Sequence, residues 1–382
     1  MEPIGVLKSQ DSISKKERVS NEFLFVIYFW GFTLLKPLLI MFQSKSTLIL
    51  FIFAAIILII SFMKVLCTNK IILKGYYLVL GIIILILFDL LTRPNSETIR
   101  YLYEFTIYGI IPIHLFSQLK NSEKLLVIYS KLSLIAFLIF FLDPLLDYRF
   151  LVDYMSFGFN FALPAYIGLF IGRKFLNYKW MLPFEIICLA ELIIFANRSS
   201  LLSIIIFWVL IEVVYEKRKT KTIILFIFFG IVMIFIQDIL SIAIKLLSER
   251  GLYSYSLRHF QIYLMESDWV GMFSGRLDIW KLANEMIKEG ILFGLGTGAF
   301  QARYKFYSHN LYFDLMTQYG LFGLFVFLTL ILNSIIYVLR SKNYKLLLGL
   351  ILLILWFPKL LLSNYFYRDI AFWCFLVLGF KK

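Results

Sequence analysis

Apolar residues in this chain fall in runs of roughly 17–20, the length a helix needs to cross about 30 Å of hydrocarbon. Backbone inside a bilayer must satisfy its own hydrogen bonds, so such runs are read as helices. The strict apolar/polar alternation of a membrane β-barrel is absent. The runs are Phe23–Phe42, Thr47–Met63, Ile71–Leu91, Tyr101–Phe116, Leu125–Leu142 and Met155–Ile171, then Trp180–Ala196, Leu201–Tyr215, Ile223–Leu240, Leu311–Leu339, Leu346–Leu362 and Tyr365–Phe380. Hydrophobic residues make up 61% of the 382 and charged ones 16%, against roughly 45–50% and about 25% in soluble domains. The expected fold is an all-α integral membrane protein with about twelve transmembrane helices.

A formal charge of +14 invites a nucleic-acid reading, but its distribution answers otherwise. With the amino terminus placed inside and loops alternating, 21 Lys and Arg fall inward, among them Lys15, Lys16, Arg18, Lys64, Lys70 and Lys217 to Lys221. The short outward loops hold six: Lys45, Arg93, Arg100, Arg149, Arg198 and Arg368. Positive charge retained on the cytoplasmic side puts both termini there and gives nucleic acid no role. The first span is expected to be an uncleaved anchor, because no small-residue cleavage site follows it. Cys67, Cys188 and Cys374 lie in or beside spans, with no disulfide framework, metal-ligand spacing or cofactor motif.

The chain then divides into a cytoplasmic tail (1–22), helices one to nine (23–240), an outward loop (241–308) and helices ten to twelve (309–382). Within the loop, Ser274 can cap a helix that runs through Glu289 to Gly290. Leu277, Trp280, Ala283 and Ile287 share a stripe, which suits a helix lying on the membrane surface or a structural lid. Gly294-Leu295-Gly296-Thr297-Gly298 follows. Such a turn can offer N–H groups to a phosphate, although a plain turn is the more economical reading.

The chain re-enters the membrane at Ser308-His309-Asn310, with Gly320 and Gly323 beyond, which reads H-N-x9-G-x-x-G. A snorkelling histidine above two packing glycines is the plain alternative. Only three histidines and 20 glycines are present, so the full spacing rarely arises by chance and favours a functional histidine. Arg198-Ser199-Ser200-Leu201-Leu202 forms an R-x3-L at an outward helix junction, where an arginine suits a lipid-linked phosphate. Gly275-Arg276 and Trp280 stand upstream of the glycine turn. Glu185, Glu191 and Asp314 are intramembrane carboxylates and hence candidates; seven residues separate Glu191 from Arg198, which would put them on one helix face. Asp314 follows Asn310 by four and either orients the site or caps a polar seam. His114 and His259 receive no role.

Together these elements resemble the O-antigen ligase/polymerase superfamily, which contains Wzy-type polysaccharide polymerases and WaaL-type O-antigen ligases. The resemblance covers roughly the second half of the chain; the first half agrees in topology. Asp153 to Gly158 and Asn197 to Ser200 are more similar to the polymerases. The resemblance implies a GT-C-like membrane glycosyltransferase in the bacterial inner membrane, with its large loop outside the cytoplasm. The implied reaction moves a glycan from undecaprenyl pyrophosphate to the hydroxyl of another lipid-linked glycan. It also implies His309 as general base, Arg198 and Arg276 on the diphosphate, and Arg303, Asn310, Gly294 and Gly296 as substrate-binding residues. A chain-length regulator is a further partner that the family allows. Alternatives are a ligase delivering glycan to lipid A-core and a flippase for lipid-linked oligosaccharides. The flippase lacks support from any internal repeat.

Overall fold

The computed structural model describes residues 20–41, 46–68, 75–141, 154–218, 234–251 and 275–380, with scattered positions between 220 and 262 besides. Every regular element among them is helical. The helices are α1 (Asn21–Met41), α2 (Ser46–Thr68), α3 (Tyr76–Thr92), α4 (Thr98–Phe105), α5 (Ile111–Ser117), α6 (Ser122–Phe140), α7 (Leu163–Lys174) and α8 (Leu182–Phe195). They continue with α9 (Arg198–Leu210), α10 (Ile236–Glu249), α11 (Arg276–Glu289), α12 (Ala299–Tyr304), α13 (Leu311–Arg340), α14 (Asn343–Leu362) and α15 (Ile370–Leu378).

Two helix starts follow π-turns, and proline explains both. A ring lacking N–H cannot continue the i→i−4 ladder. Thr106–Ile110 therefore opens into a π-turn before Pro112, and Phe157–Ala162 does so before Pro164. Several of the described helices begin under a side-chain cap that satisfies an otherwise orphaned N–H. Asn121 accepts from Lys124 N, Asn197 from Ser200 N, Asn310 from Tyr312 N and Phe313 N, and Asp369 from Phe372 N.

Three helices among the described residues are each long and apolar enough to cross a bilayer: Arg198–Tyr215, Leu311–Arg340 and Asn343–Leu362. Asn21–Leu35, Ile49–Lys64 and Tyr76–Thr92 are shorter apolar helices. By length and composition these helices suit an integral membrane protein. Small residues let helices approach where lipid leaves only van der Waals attraction to hold them. Gly168 and Gly172 of α7, for example, face Ser133 and Ser130 of α6 so closely that a Cβ would collide.

Several expectations need correction. The last run, Tyr365–Phe380, is not one long span. Its helix α15 has nine residues, about 14 Å, and Ala371 to Leu378 are all buried. It forms the aromatic centre of the bundle, where Trp373 meets Phe105 at 4.7 Å and Phe372 meets Trp356 at 5.2 Å. Helix α10 straddles the expected boundary at residue 240, so the outward loop begins as helix. Most of Ile223–Leu240 before residue 234, and Ser274, His259 and Asp153, lie outside the described residues. The helix expected from Ser274 starts at Arg276 behind Gly275.

That helix, α11, does not need the membrane surface. Ala283 and Met286 are fully buried with Phe300 of α12, and Trp280 stacks on Phe313 of α13 at 5.6 Å.

The tenth span is divided. Gly320 leaves helical geometry at φ 62°, ψ −159°. Asn310 bonds Leu361 O and Tyr319 bonds the Tyr367 hydroxyl, so both ends of Leu311–Tyr319 rest on the α14–α15 hairpin. That stretch crosses the hairpin, and residues 321–339 remain to span the membrane.

Candidate active site

Ser308-His309-Asn310 is held on both sides. Ser308 donates its hydroxyl to Asp314 Oδ1 at 2.6 Å and accepts from Trp280 Nε1 on its carbonyl at 3.1 Å. Asn310 caps α13 and donates to Leu361 O at 3.0 Å. Asp314 thus serves the loop through Ser308 and not by facing the Asn310 side chain. Between these anchors His309 takes φ 57°, a left-handed conformation that histidine adopts more readily than most residues.

This pose determines the chemistry of the ring. His309 Nδ1 lies 3.2 Å from Ser363 O, a carbonyl that can only accept. Nδ1 therefore carries the proton, and the Nε2 lone pair is left for another molecule. Burial, and next the neighbouring Arg276 charge, hold the imidazole below its usual 6.5, with the Ser363 bond opposing them. A neutral imidazole with an available Nε2 is a general base at neutral pH.

Arg276, the first residue of α11, reaches the same serine, with Nη2 at 3.5 Å from Ser363 Oγ. Gly275 sits before it at φ 74°. Imidazole and guanidinium thus converge on the end of α14.

Arg198 stands at the same end of the bundle. It opens α9 directly after the Asn197 cap, whose Nδ2 donates to Met155 O at 3.2 Å. Five residues on, Asn160 Oδ1 accepts from Lys359 Nζ at 3.2 Å, and Lys359 pairs with Asp369 at 3.0 Å. The segment from Met155 to Asn160 therefore links the Arg198 corner to the last turn of α14, four residues before Ser363. Glu191 does not share a face with Arg198, because α8 ends at Phe195 and a new helix starts at Arg198. Glu185 is paired with Arg173.

Two of the groups expected to bind substrate are engaged by other parts of the protein. Arg303 is forked onto Glu289 at 2.6 and 2.8 Å; this bond lowers the Glu289 carboxyl and raises the arginine. Glu289 ends α11 while Arg276 begins it, a separation of about 20 Å along the helix.

The glycine turn has no amide to spare for a phosphate. Gly294 N bonds Gly290 O, Leu295 N bonds Thr317 O, Gly296 N bonds Gln318 O, Thr297 N bonds Asp89 Oδ2, and Gly298 N bonds Gln318 Oε1. The turn is a latch between α3 and α13. Gly294 is required there, since its φ is 67° and a Cβ would strike the Gln318 carbonyl; at Gly320 a Cβ would lie 2.5 Å from the Leu292 carbonyl carbon. Gly320→Ala is therefore expected to cost roughly 1–3 kcal/mol, the scale for a side chain forced into a positive-φ, extended conformation that is essentially reserved for glycine, read as a lower melting temperature in detergent. An unchanged melting temperature would mean that the latch is dispensable.

Other residues at this end belong to no motif in the sequence. Buried Glu104 accepts from Arg368 at 2.6 and 2.9 Å, from Arg100 at 3.1 Å and from the Tyr365 hydroxyl. Tyr365 contacts Tyr307 at 5.0 Å, and Tyr307 contacts the His309 ring at 4.2 Å. An ion-paired, aromatic wall thus backs the histidine.

Residues 186–328 match the family model described as O-antigen ligase (Wzy_C). The matched stretch holds Arg198, Arg276, Gly294, Gly296, Arg303, His309 and Asn310, whereas Glu104, Ser363, Tyr365 and Arg368 lie outside it. No curated protein and no solved structure matches the chain.

Proposed function

Because residues 186–328 place the chain in the O-antigen ligase/polymerase superfamily, we propose that it is a polysaccharide polymerase of the bacterial inner membrane. It transfers a glycan from undecaprenyl pyrophosphate to the non-reducing end of another lipid-linked repeat unit. The observation that carries this reading is the meeting of His309 and Arg276 at Ser363.

Nε2 of His309 takes the proton of the acceptor hydroxyl, whose oxygen attacks the anomeric carbon. The bond from that carbon to the phosphate oxygen breaks, and the configuration inverts. Undecaprenyl pyrophosphate leaves with its charge held by Arg276 and Arg198, whose planar forks match phosphate oxygens. The site lies on the outward face, with about twelve crossings and both termini inside, as the charge asymmetry supports. A chain-length regulator is a further partner in this reading.

The family's description as O-antigen ligase favours a second reading, ligation of the glycan to lipid A-core. Purified protein in nanodiscs, supplied with undecaprenyl-pyrophosphate oligosaccharide, separates the possibilities. Growth on the lipid-linked repeat unit without nucleotide, and in EDTA, is expected. Transfer only to added rough-type core would make the protein a ligase. Donor crossing a sealed bilayer without any transfer would make it a flippase.

A further inference from the structure

The lipid-facing surface of α13 does not stop where that helix stops. From residue 321 to 339, about 28 Å of helix, the exposed side chains Leu321, Phe325, Leu328, Leu332, Ile336 and Leu339 form one stripe. At its upper end the stripe runs onto another part of the chain. Ile291, Leu292 and Phe293 are 50%, 61% and 63% exposed, and the Phe293 ring lies 6.2 Å from that of Phe322. On the far side, Phe88 and Leu91 at the end of α3 are exposed as well.

The four consecutive carbonyls of this tip find their partners within the protein. Ile291 O accepts from Leu321 N at 2.8 Å and Leu292 O from Phe322 N at 3.1 Å. Phe293 O and Gly294 O both accept from Arg93 Nη1, at 3.3 and 2.8 Å. Carbonyls of irregular backbone near the hydrocarbon boundary need partners of this kind, because lipid supplies none. The docking also requires Gly320, since the helix opens there to present Leu321 N and Phe322 N. Three exposed apolar side chains in sequence on a loop otherwise rich in charge would be a poor fit to water. They fit the boundary between headgroups and acyl chains, with Arg93 and Lys288 toward the polar side.

We propose that Ile291-Leu292-Phe293 is a membrane-inserted lip, buried among lipid acyl chains at the end of the bundle that carries His309. The partner is lipid hydrocarbon, continuous with that around α13. Insertion anchors the glycine latch to the bilayer. Through the α11 and α13 contacts, it holds Arg276 and His309 near the headgroup plane, where a lipid phosphate lies.

Spin labels test this on the full chain in nanodiscs. Single cysteines replace Leu292, Phe293, Phe325 and Lys281 in a background where Cys67, Cys188 and Cys374 are serine. Retained melting temperature shows which variants fold, and two lip positions guard against the loss of one. Labels at 292 and 293 should collide more with oxygen than with a water-soluble nickel chelate, as at 325. The ratio should reverse at exposed Lys281. A water-like ratio at 292 and 293 would overturn the proposal. Protection from both agents that vanishes on dilution would replace lipid with a second copy of the chain, which also overturns it. Neither readout uses glycan, so a lipid-exposed lip on a chain without transferase activity would sink the polymerase reading alone.

Discussion

Replacing His309 with alanine is expected to lower glycan-chain extension by roughly 10²–10⁴-fold, the usual contribution of a positioned general base. The protein should still insert and fold, because Asn310 and Ser308 keep the caps and anchors of the loop. In cells the variant should leave single repeat units where the parent makes long chains. Wild-type chain lengths at matched expression would remove His309 from the mechanism. The pH profile adds an independent check. Only neutral imidazole accepts a proton, so the rate is full above the histidine pKa and falls as pH drops through it. Burial and Arg276 hold that pKa below 6.5, so the acid limb should have its midpoint below 6.5. Arg276→Gln removes one lowering charge, and its residual activity should show the limb moved to higher pH. A midpoint unmoved in Arg276→Gln would mean that the arginine does not act on the ring.

Arg276→Lys and Arg198→Lys should each reduce extension by roughly 10²–10³-fold, the scale for losing one donor that stabilises transition-state charge. Lysine keeps the charge but loses the fork that grips two phosphate oxygens. Arg303→Lys provides the contrast. Its partner Glu289 is half-exposed and α11 separates it from Arg276, and exposed pairs contribute little. It should behave nearly as the parent in steady-state assays with purified lipid-linked donor. Arg303→Lys failing as badly as Arg276→Lys, or Arg198→Lys matching the parent, would move the donor site along the loop.

Much of this architecture was legible without coordinates because bilayer physics acts on local sequence. A run of apolar residues has one stable backbone solution in hydrocarbon, so Leu346–Leu362 and the run at Leu201–Tyr215 read correctly as helices. The H-N-x9-G-x-x-G spacing was legible for a similar reason, since a cap, a left-handed residue and a helix break are local demands. The role of its first glycine was not legible. Gly320 reads like a packing glycine in a long span, and only the arrival of Leu292 and Gly294 beside it shows why the helix must open there.

What local sequence determined, then, is the class of the fold, the outlines of several of its long helices and the capped histidine turn that opens α13. What tertiary structure decided is the use to which polar groups are put. Gly294 to Gly298 look open to a phosphate until Asp89, more than 200 residues away, takes Thr297, and Thr317 and Gln318 take the neighbours. Arg303 looks like a third cation for the donor until Glu289 claims both its arms. Ser363, which orients His309, lies 54 residues from it and carries no motif. The reason is physical. Hydrophobicity acts on each residue wherever it stands, and it leaves a period in the sequence. A hydrogen bond joins two groups at about 3 Å, and the chain can bring them together from any separation.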